Sequence, residues 1–267
     1  MSIKHSLAVL VGTGLALAAV GLAPAAAQSP VIRVGVTAGP HAEIIEVVRK
    51  TAAERGILIK PVEFTDYVIP NQALANKELE ANSFQHEPYL KNQVAKTNWQ
   101  LTKVGYTIAS PMGFYSKKYK SFAELPAGAT VAIQNDPSNA ARSLQLLHAN
   151  NIIKLKDGNS VTAGLIDIVE NPKRYKFVEL DAAQLPRSLP DVDAAAVNNN
   201  YAVQAGLDPV KDSIVKETTD GPWVNIIAVR EEDKDKPWVK DLLGVYQSEP
   251  VKQFVLQRFK GAYVPAW

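Results

Sequence analysis

The sequence of 267 residues contains no cysteine. This absence excludes disulfide bonds, thiolate nucleophiles and cysteine metal ligands, so the fold depends on a hydrophobic core, for which the chain is long enough. A lipid anchor placed directly after an export signal also needs a cysteine. We therefore expect the mature chain to be soluble and not lipid-anchored.

The sequence also lacks an excess of one sign of charge. It has 29 Lys and Arg residues and 27 Asp and Glu residues, and no long basic run occurs. A nucleic acid or an anionic membrane is thus excluded as the main partner. The chain also lacks a phosphate-binding glycine loop and a nucleophile elbow. His86 and Glu87 begin like a zinc-protease motif, but Leu90 stands where the second histidine belongs. We expect no catalytic site, no metal and no cofactor.

The first residues have the pattern of an export signal. Lys4 precedes the uncharged, apolar residues 7–22, and the small residues Ala25, Ala26 and Ala27 follow. This order predicts a Sec-type signal peptide over residues 1–27, cleaved near Ala27, and a mature protein outside the cytoplasm. A retained membrane anchor is the alternative, although the apolar stretch is shorter than the roughly 20 residues that span a bilayer.

Beyond the signal, segments with strand composition alternate with segments that have helical spacing, as in open α/β sheets. The pattern predicts strands at 31–36, 57–64, 101–108, 130–133, 176–180, 194–197 and 224–229. It predicts helices at 41–55, 71–80, 87–97, 139–150 and 161–170, and two more after Pro237. Two α/β units lie on either side of residues 112–124. A ligand of such a protein lies beyond the carboxyl ends of the strands.

Aromatic side chains gather where strands give way to helices. Tyr67, Phe84, His86 and Tyr89 would suit an apolar or thioether group, since sulfur packs well against ring edges. Burial in an ordinary core is the alternative, at Phe84 above all.

Polar side chains occupy comparable places in the second half of the chain. Arg142 lies near the start of a predicted helix, where a guanidinium can bind a carboxylate through two hydrogen bonds, unless it is simply exposed. Asn198 follows a strand, and Asn225 lies inside an apolar one. An amide there must be satisfied, by an amino acid head group or by an internal bond or bulge.

Four strings carry a resemblance to a known family. They are Phe-Gln-His-Glu-Pro-Tyr-Leu at 84–90, Asn-Asp-Pro-Ser-Asn-Ala-Ala-Arg-Ser-Leu at 135–144, Val-Glu-Asn-Pro-Lys at 169–173 and Gln-Leu-Pro-Arg-Ser-Leu at 184–189. The chain resembles the methionine-binding proteins of ABC importers, the NlpA/MetQ type, over almost its whole length. Many members of that family are lipoproteins, and the absence of cysteine departs from that pattern.

The resemblance implies a type II periplasmic-binding-protein fold, with two α/β lobes joined by two crossovers and a ligand cleft between them. Lobe 1 would comprise residues 28–113 and 224–267, and lobe 2 residues 114–223. It implies a monomer without enzymatic activity that captures methionine in the periplasm, with L-methionine as the favoured ligand. The protein would deliver this ligand to the importer's membrane subunits and their ATPase. D-methionine, a methionine derivative or dipeptide, and another amino acid are alternative ligands. A periplasmic enzyme and a surface adhesin are alternative functions.

The resemblance also implies roles for single residues. Arg142 would hold the ligand carboxylate, and Asn198 and Asn225 would hold the amino and carboxylate groups. Tyr67, Phe84, His86 and Tyr89 would surround the ligand side chain.

Overall fold

The computed structural model describes Met1 and residues 31–267. Apart from Met1, the predicted signal peptide lies outside the described residues. No helix in the described part of the chain has the length and apolar character needed to cross a membrane.

The described chain alternates strands with helices. The strands are β1 (Ile32–Thr37), β2 (Ile59–Phe64), β3 (Ala81–Asn82), β4 (Leu101–Tyr106), β5 (Ile108–Ala109), β6 (Gly113–Tyr115), β7 (Thr130–Gln134), β8 (Lys154–Leu155), β9 (Ile168–Glu170), β10 (Lys176–Leu180), β11 (Ala194–Val197), β12 (Val215–Lys216), β13 (Ile226–Arg230) and β14 (Val264–Pro265). The α-helices are α1 (Pro40–Ala53), α2 (Ile69–Ala75), α3 (Glu87–Thr97), α4 (Pro137–Ala149), α5 (Leu185–Ser188), α6 (Asn199–Gln204), α7 (Pro237–Tyr246) and α8 (Glu249–Phe259).

Two five-stranded sheets organise the fold. The first has the order β2-β1-β3-β13-β4, with β1 parallel to β2 and β3, and with β13 antiparallel to β3 and β4. The second has the order β10-β7-β11-β6-β12, with β7 parallel to β10 and β11. We call each sheet with its packed helices a lobe. Helices α1, α7 and α8 cover the first sheet with a core that includes Ile44, Leu242 and Val255.

The chain crosses between the sheets twice, from β5 to β6 and from β12 to β13. The crossovers are hydrogen-bonded to each other. The Glu217 backbone N–H donates to the Met112 carbonyl at 3.0 Å, and the Asn225 backbone N–H donates to the Ile108 carbonyl at 2.9 Å. The sequence predicted this two-lobed α/β architecture. The residue ranges that we assigned to the lobes stay a prediction.

The helix predicted over residues 161–170 is wrong. A short 3-10 helix at Leu165–Asp167 leads into β9, which pairs antiparallel with β8. The apolar residues that suggested the helix are not buried on one face, because Ile166 is 94% exposed and Val169 is 56% exposed. Without a buried face, β-branched residues favour the extended backbone.

Candidate functional site

A small cavity lies between the lobes, where strands of both sheets end. The volume that the centre of a water molecule can occupy in it is about 20 Å³, so the lining side chains lie close together. All the residues singled out from the sequence line it: Tyr67, Phe84, His86, Tyr89, Arg142, Asn198 and Asn225. Six further residues, to which the sequence assigned no role, also line it: His41, Gln85, Ser110, Asn139, Asn199 and Asn200. The folded chain thus brings the predicted set together, while contact with a ligand stays a prediction.

Three rings of the first lobe form the apolar wall of the cavity. The Tyr67 and Phe84 ring centroids are 5.9 Å apart, and Tyr89 lies edge-on at 6.1 Å from each. The Tyr89 hydroxyl donates to the Tyr67 carbonyl at 2.9 Å, which fixes both residues relative to α3. Such a wall suits an apolar or sulfur-containing side chain.

His86 caps α3 and reaches the other lobe. Its Nδ1 accepts the Tyr89 backbone N–H at 3.1 Å, so Nε2 carries the proton and donates to Asn139 Oδ1 at 3.3 Å. Burial, helped by the nearby Arg142 guanidinium, lowers the pKa of His86 to about 3. His86 is therefore neutral near pH 7 and both of its ring nitrogens already have partners.

Arg142 enters the cavity from α4, a helix whose Asp136 cap accepts the Asn139 backbone N–H at 2.9 Å. Its Nε donates to Glu217 Oε1 at 2.8 Å, and its Nη2 donates to Glu217 Oε2 at 2.6 Å and to the Ser110 carbonyl at 2.8 Å. Nη1 has no hydrogen-bond partner among residues 31–267. The guanidinium is thus held on one side and available to a carboxylate on the other.

Asn225 presents an acceptor to the cavity. Its Nδ2 donates to the Phe84 carbonyl at 3.3 Å and lies 2.9 Å from His41 Nε2. Because a carbonyl only accepts, Nδ2 is the amide nitrogen, His41 Nε2 accepts as well, and His41 Nδ1–H donates to Thr37 Oγ1 at 3.0 Å. Burial lowers the pKa of His41 to about 4, which keeps the ring neutral. Asn225 Oδ1 is left without a partner in the described chain.

The three consecutive asparagines after β11 make different hydrogen bonds. Asn198 accepts from Gln134 Nε2 and donates to Asn139 Oδ1, both at 2.8 Å, so its amide is engaged within the second lobe. Asn199 donates to the Ala262 carbonyl, and its Oδ1 is buried without a partner in the described chain. Asn200 accepts from the Tyr67 hydroxyl at 2.5 Å, and its Nδ2 is likewise unpaired. Unpaired buried amide atoms cost free energy, so these atoms indicate a polar ligand group.

Direct bonds between the lobes close the cavity. Besides the His86–Asn139 and Tyr67–Asn200 pairs, the Tyr201 hydroxyl donates to the Thr65 carbonyl at 3.1 Å. Gln204 Nε2 donates to the Ala38 carbonyl at 3.0 Å. Each of these bonds joins α4 or α6 of the second lobe to the first lobe, so closure and formation of the cavity occur together.

Comparisons with known proteins identify this fold. The model of the NlpA lipoprotein family matches residues 32–267. The chain belongs to the NlpA lipoprotein family. It is 45% identical over 239 residues to the D-methionine-binding lipoprotein MetQ of Escherichia coli, a match that covers 88% of each chain. It is 42% identical over 274 residues to the protein of that name from Yersinia pestis, covering all of both chains.

Solved structures agree with the family assignment. A nutrient-binding protein from Burkholderia cenocepacia bound to methionine is 51% identical, with a TM-score of 0.86, over 88% of this chain and 100% of that one. A periplasmic substrate-binding protein of an ABC transporter from Coxiella burnetii is 44% identical, with a TM-score of 0.85, over 88% and 100%. The predicted type II periplasmic-binding-protein fold is confirmed. The family consists of substrate-binding transport proteins, so the expectation that the chain is not an enzyme is also confirmed.

The expectation of a protein without a lipid anchor is wrong. The matching family is described as NlpA lipoprotein, and its relatives in Escherichia coli and Yersinia pestis are named lipoproteins. The prediction came from the absence of cysteine in the printed sequence. That absence does not outweigh the membership of a lipoprotein family.

Two contacts that sequence reasoning missed join residues far apart in the chain. His41 is separated from Asn225 by 184 positions, and Arg142 from Glu217 by 75. His41 lies just after β1, so the rule that ligands bind beyond strand ends would have pointed to it. Glu217 follows the two-residue strand β12, which is too short to be recognised from composition. No group of three metal-binding side chains occurs in the part of the chain that the structure describes.

Proposed function

We propose that this protein is the solute-binding component of an ABC importer and captures methionine for delivery to the membrane subunits. The main support for this proposal is the closed cavity, in which an arginine and unpaired amide atoms lie opposite a wall of aromatic rings. The related Burkholderia cenocepacia protein, whose structure is described as bound to methionine, supports this ligand. The Coxiella burnetii relative, described as the substrate-binding protein of an ABC transporter, supports the role.

The polar atoms of the cavity complement an α-amino acid head group. A carboxylate needs donors, and Arg142 Nη1 and Asn200 Nδ2 are two that have no partner within the described part of the chain. An ammonium group needs acceptors, and Asn225 Oδ1 and Asn199 Oδ1 are free. Filling all four positions would remove the cost of unpaired buried groups, and this would favour the closed state.

The ligand side chain would lie against Tyr67, Phe84 and Tyr89. A thioether gains from dispersion and from sulfur contacts with ring edges, without needing a polar partner. We place His86 and Asn198 beside the ligand as supports, because His86 engages Tyr89 and Asn139, and Asn198 engages Gln134 and Asn139. This refines the sequence-based roles, in which Asn198 bound the head group.

L-Methionine is the first ligand that we propose. D-Methionine is the second, because relatives about 45% identical are named D-methionine-binding lipoproteins. The enantiomers exchange the directions of the ammonium group and the α-hydrogen. Acceptors on two separate segments, Asn225 before β13 and Asn199 on α6, give the ammonium group more than one partner.

Isothermal titration of both enantiomers into the full chain tests the proposal, after unfolding and refolding to remove retained ligand. We expect one-to-one binding with a submicromolar Kd, about −8 kcal/mol or tighter. The ratio of the two affinities assigns the enantiomer. Absence of heat with both enantiomers at high micromolar concentration would contradict methionine as the ligand, and competition with other amino acids would then search for another.

A further inference from the structure

A largely buried ion pair, which the proposed binding of methionine does not require, extends from the cavity wall at Arg142 to Glu217 behind it. The side chains of Arg142 and Glu217 are 4% and 11% exposed, and their salt bridge measures 2.6 Å between Nη2 and Oε2. Glu217 also accepts from Arg142 Nε at 2.8 Å, so the two groups meet along one edge of the guanidinium. A ligand carboxylate can therefore approach only the remaining edge.

Glu217 is held by contacts between the two crossovers rather than by the ligand. It follows β12 on the second crossover, and its carboxylate accepts the backbone N–H of Met112 on the first crossover at 2.8 Å. The Glu217 backbone N–H donates to the Met112 carbonyl at 3.0 Å. One bond to the carboxylate and one from the backbone thus tie Glu217 to the first crossover, and neither bond involves the ligand site.

The pair makes the cavity electrically neutral. Arg142 is the one charged side chain among the described residues that line it, since the lowered pKa values of His41 and His86 leave both rings uncharged. The nearby Asp136 is engaged at the start of α4, where it accepts from Ser138 at 2.8 Å and from Asn139 at 2.9 Å. Arg142 and Glu217 together then contribute no net charge.

We infer that Glu217 sets the selectivity of the cavity for zwitterions over singly charged ions of the same shape. This inference rests on the proposed function. A zwitterion leaves the closed cavity neutral, whereas an organic anion or cation would bury one uncompensated charge, which is costly at low dielectric. With an arginine alone, the cavity would be positive and would favour anions. Glu217 thus acts as a specificity-determining residue through the charge that it cancels.

The test measures affinities for three ligands of nearly equal shape. They are methionine, its deaminated analogue (methylthio)butanoate, and its decarboxylated analogue (methylthio)propylamine. We expect wild-type protein to bind methionine at least about tenfold more tightly than either analogue. In Glu217→Gln, which removes the charge and keeps the shape, we expect the preference for methionine over (methylthio)butanoate to fall by about tenfold.

Two further variants separate charge from structure. Glu217→Asp keeps the charge and shortens the side chain, so both affinities fall together while their ratio stays within about threefold of wild type. Glu80→Gln removes a carboxylate from a similar pair, in which Arg33 Nε donates to Glu80 Oε2 at 2.9 Å outside the cavity. We expect Glu80→Gln to leave both the affinities and their ratio unchanged.

Distinct results would overturn the inference. Equal losses for methionine and (methylthio)butanoate in Glu217→Gln would make Glu217 a purely structural residue, as would equal shifts of the ratio in the Gln and Asp variants. If Glu217→Gln shows no cooperative unfolding, the variant is not folded and the affinities of the wild-type protein decide. Wild-type protein that binds (methylthio)butanoate as tightly as methionine would then overturn the inference. Wild-type protein that binds none of the three ligands would overturn the proposed function as well.

Discussion

The two walls of the cavity are built in different ways. The first lobe contributes rings that hold one another, since Tyr89 is bonded to Tyr67 and packs against Phe84 within that lobe. The second lobe contributes amides, two of which gain side-chain hydrogen bonds only across the cleft: Asn199 to the Ala262 carbonyl, and Asn200 from Tyr67. The apolar wall is therefore complete before closure, whereas the polar wall is completed by it.

This difference assigns separate roles to the two walls. A preformed apolar surface gives affinity by burying the ligand side chain in either state of the hinge. Polar atoms that are satisfied only in the closed protein give the ligand a higher affinity for that state, and such a difference is what shifts a conformational equilibrium. The head group of the ligand, more than its side chain, should drive closure.

The largest expected effect comes from removing the charge of the polar wall. Arg142→Ala should weaken methionine binding by about 2–4 kcal/mol, because the carboxylate loses its charged partner. Isothermal titration measures this loss. Arg33→Ala is the matched control, since Arg33 also forms a salt bridge, with Glu80, but lies outside the cavity. An Arg142→Ala protein that binds within threefold of wild type would remove Arg142 from the site.

A second prediction concerns the stability of the protein at acid pH, which should depend on His41 and His86 in the first lobe. Burial lowers the pKa of His41 to about 4 and that of His86 to about 3, from 6.5 in the unfolded chain. Between pH 6.5 and the lowered pKa of each histidine, the unfolded state binds more protons than the folded state. The free energy of unfolding that each neutral histidine contributes is therefore fully present above pH 6.5 and is lost as the pH falls toward the lowered pKa. Each histidine should contribute a loss of about 1.4 kcal/mol per pH unit in its window.

Denaturant unfolding of wild type and His86→Gln at pH 7 to 4 measures this effect. Glutamine can still donate to Asn139 but does not titrate, so the variant should show the shallower pH dependence. Parallel curves for the two proteins would mean that His86 is not the group responsible.

Sequence reasoning located the parts of the site but not their connections. Tyr67 and Arg142 follow strands that composition reveals, and α/β sheets bind ligands at strand ends, so their place in the cavity was predictable. The role of Glu217 was not, because a surface carboxylate and a buried partner of Arg142 look the same in a sequence. The free atoms of Asn199 and Asn200 were likewise hidden, since they depend on which partners each amide finds after closure.

The smallest predicted effect tests whether closure completes the polar wall. Tyr67→Phe removes the hydroxyl that bonds Asn200 across the cleft at 2.5 Å while keeping the ring in the apolar wall. We expect methionine affinity to fall by about 0.5–1.5 kcal/mol, the net contribution of one hydrogen bond. Tyr115→Phe is the matched control, because the Tyr115 hydroxyl is buried within the second lobe and has no partner among the described residues. Equal affinities for the two variants would mean that the bond across the cleft does not contribute to ligand capture, and that both walls are complete in the open protein.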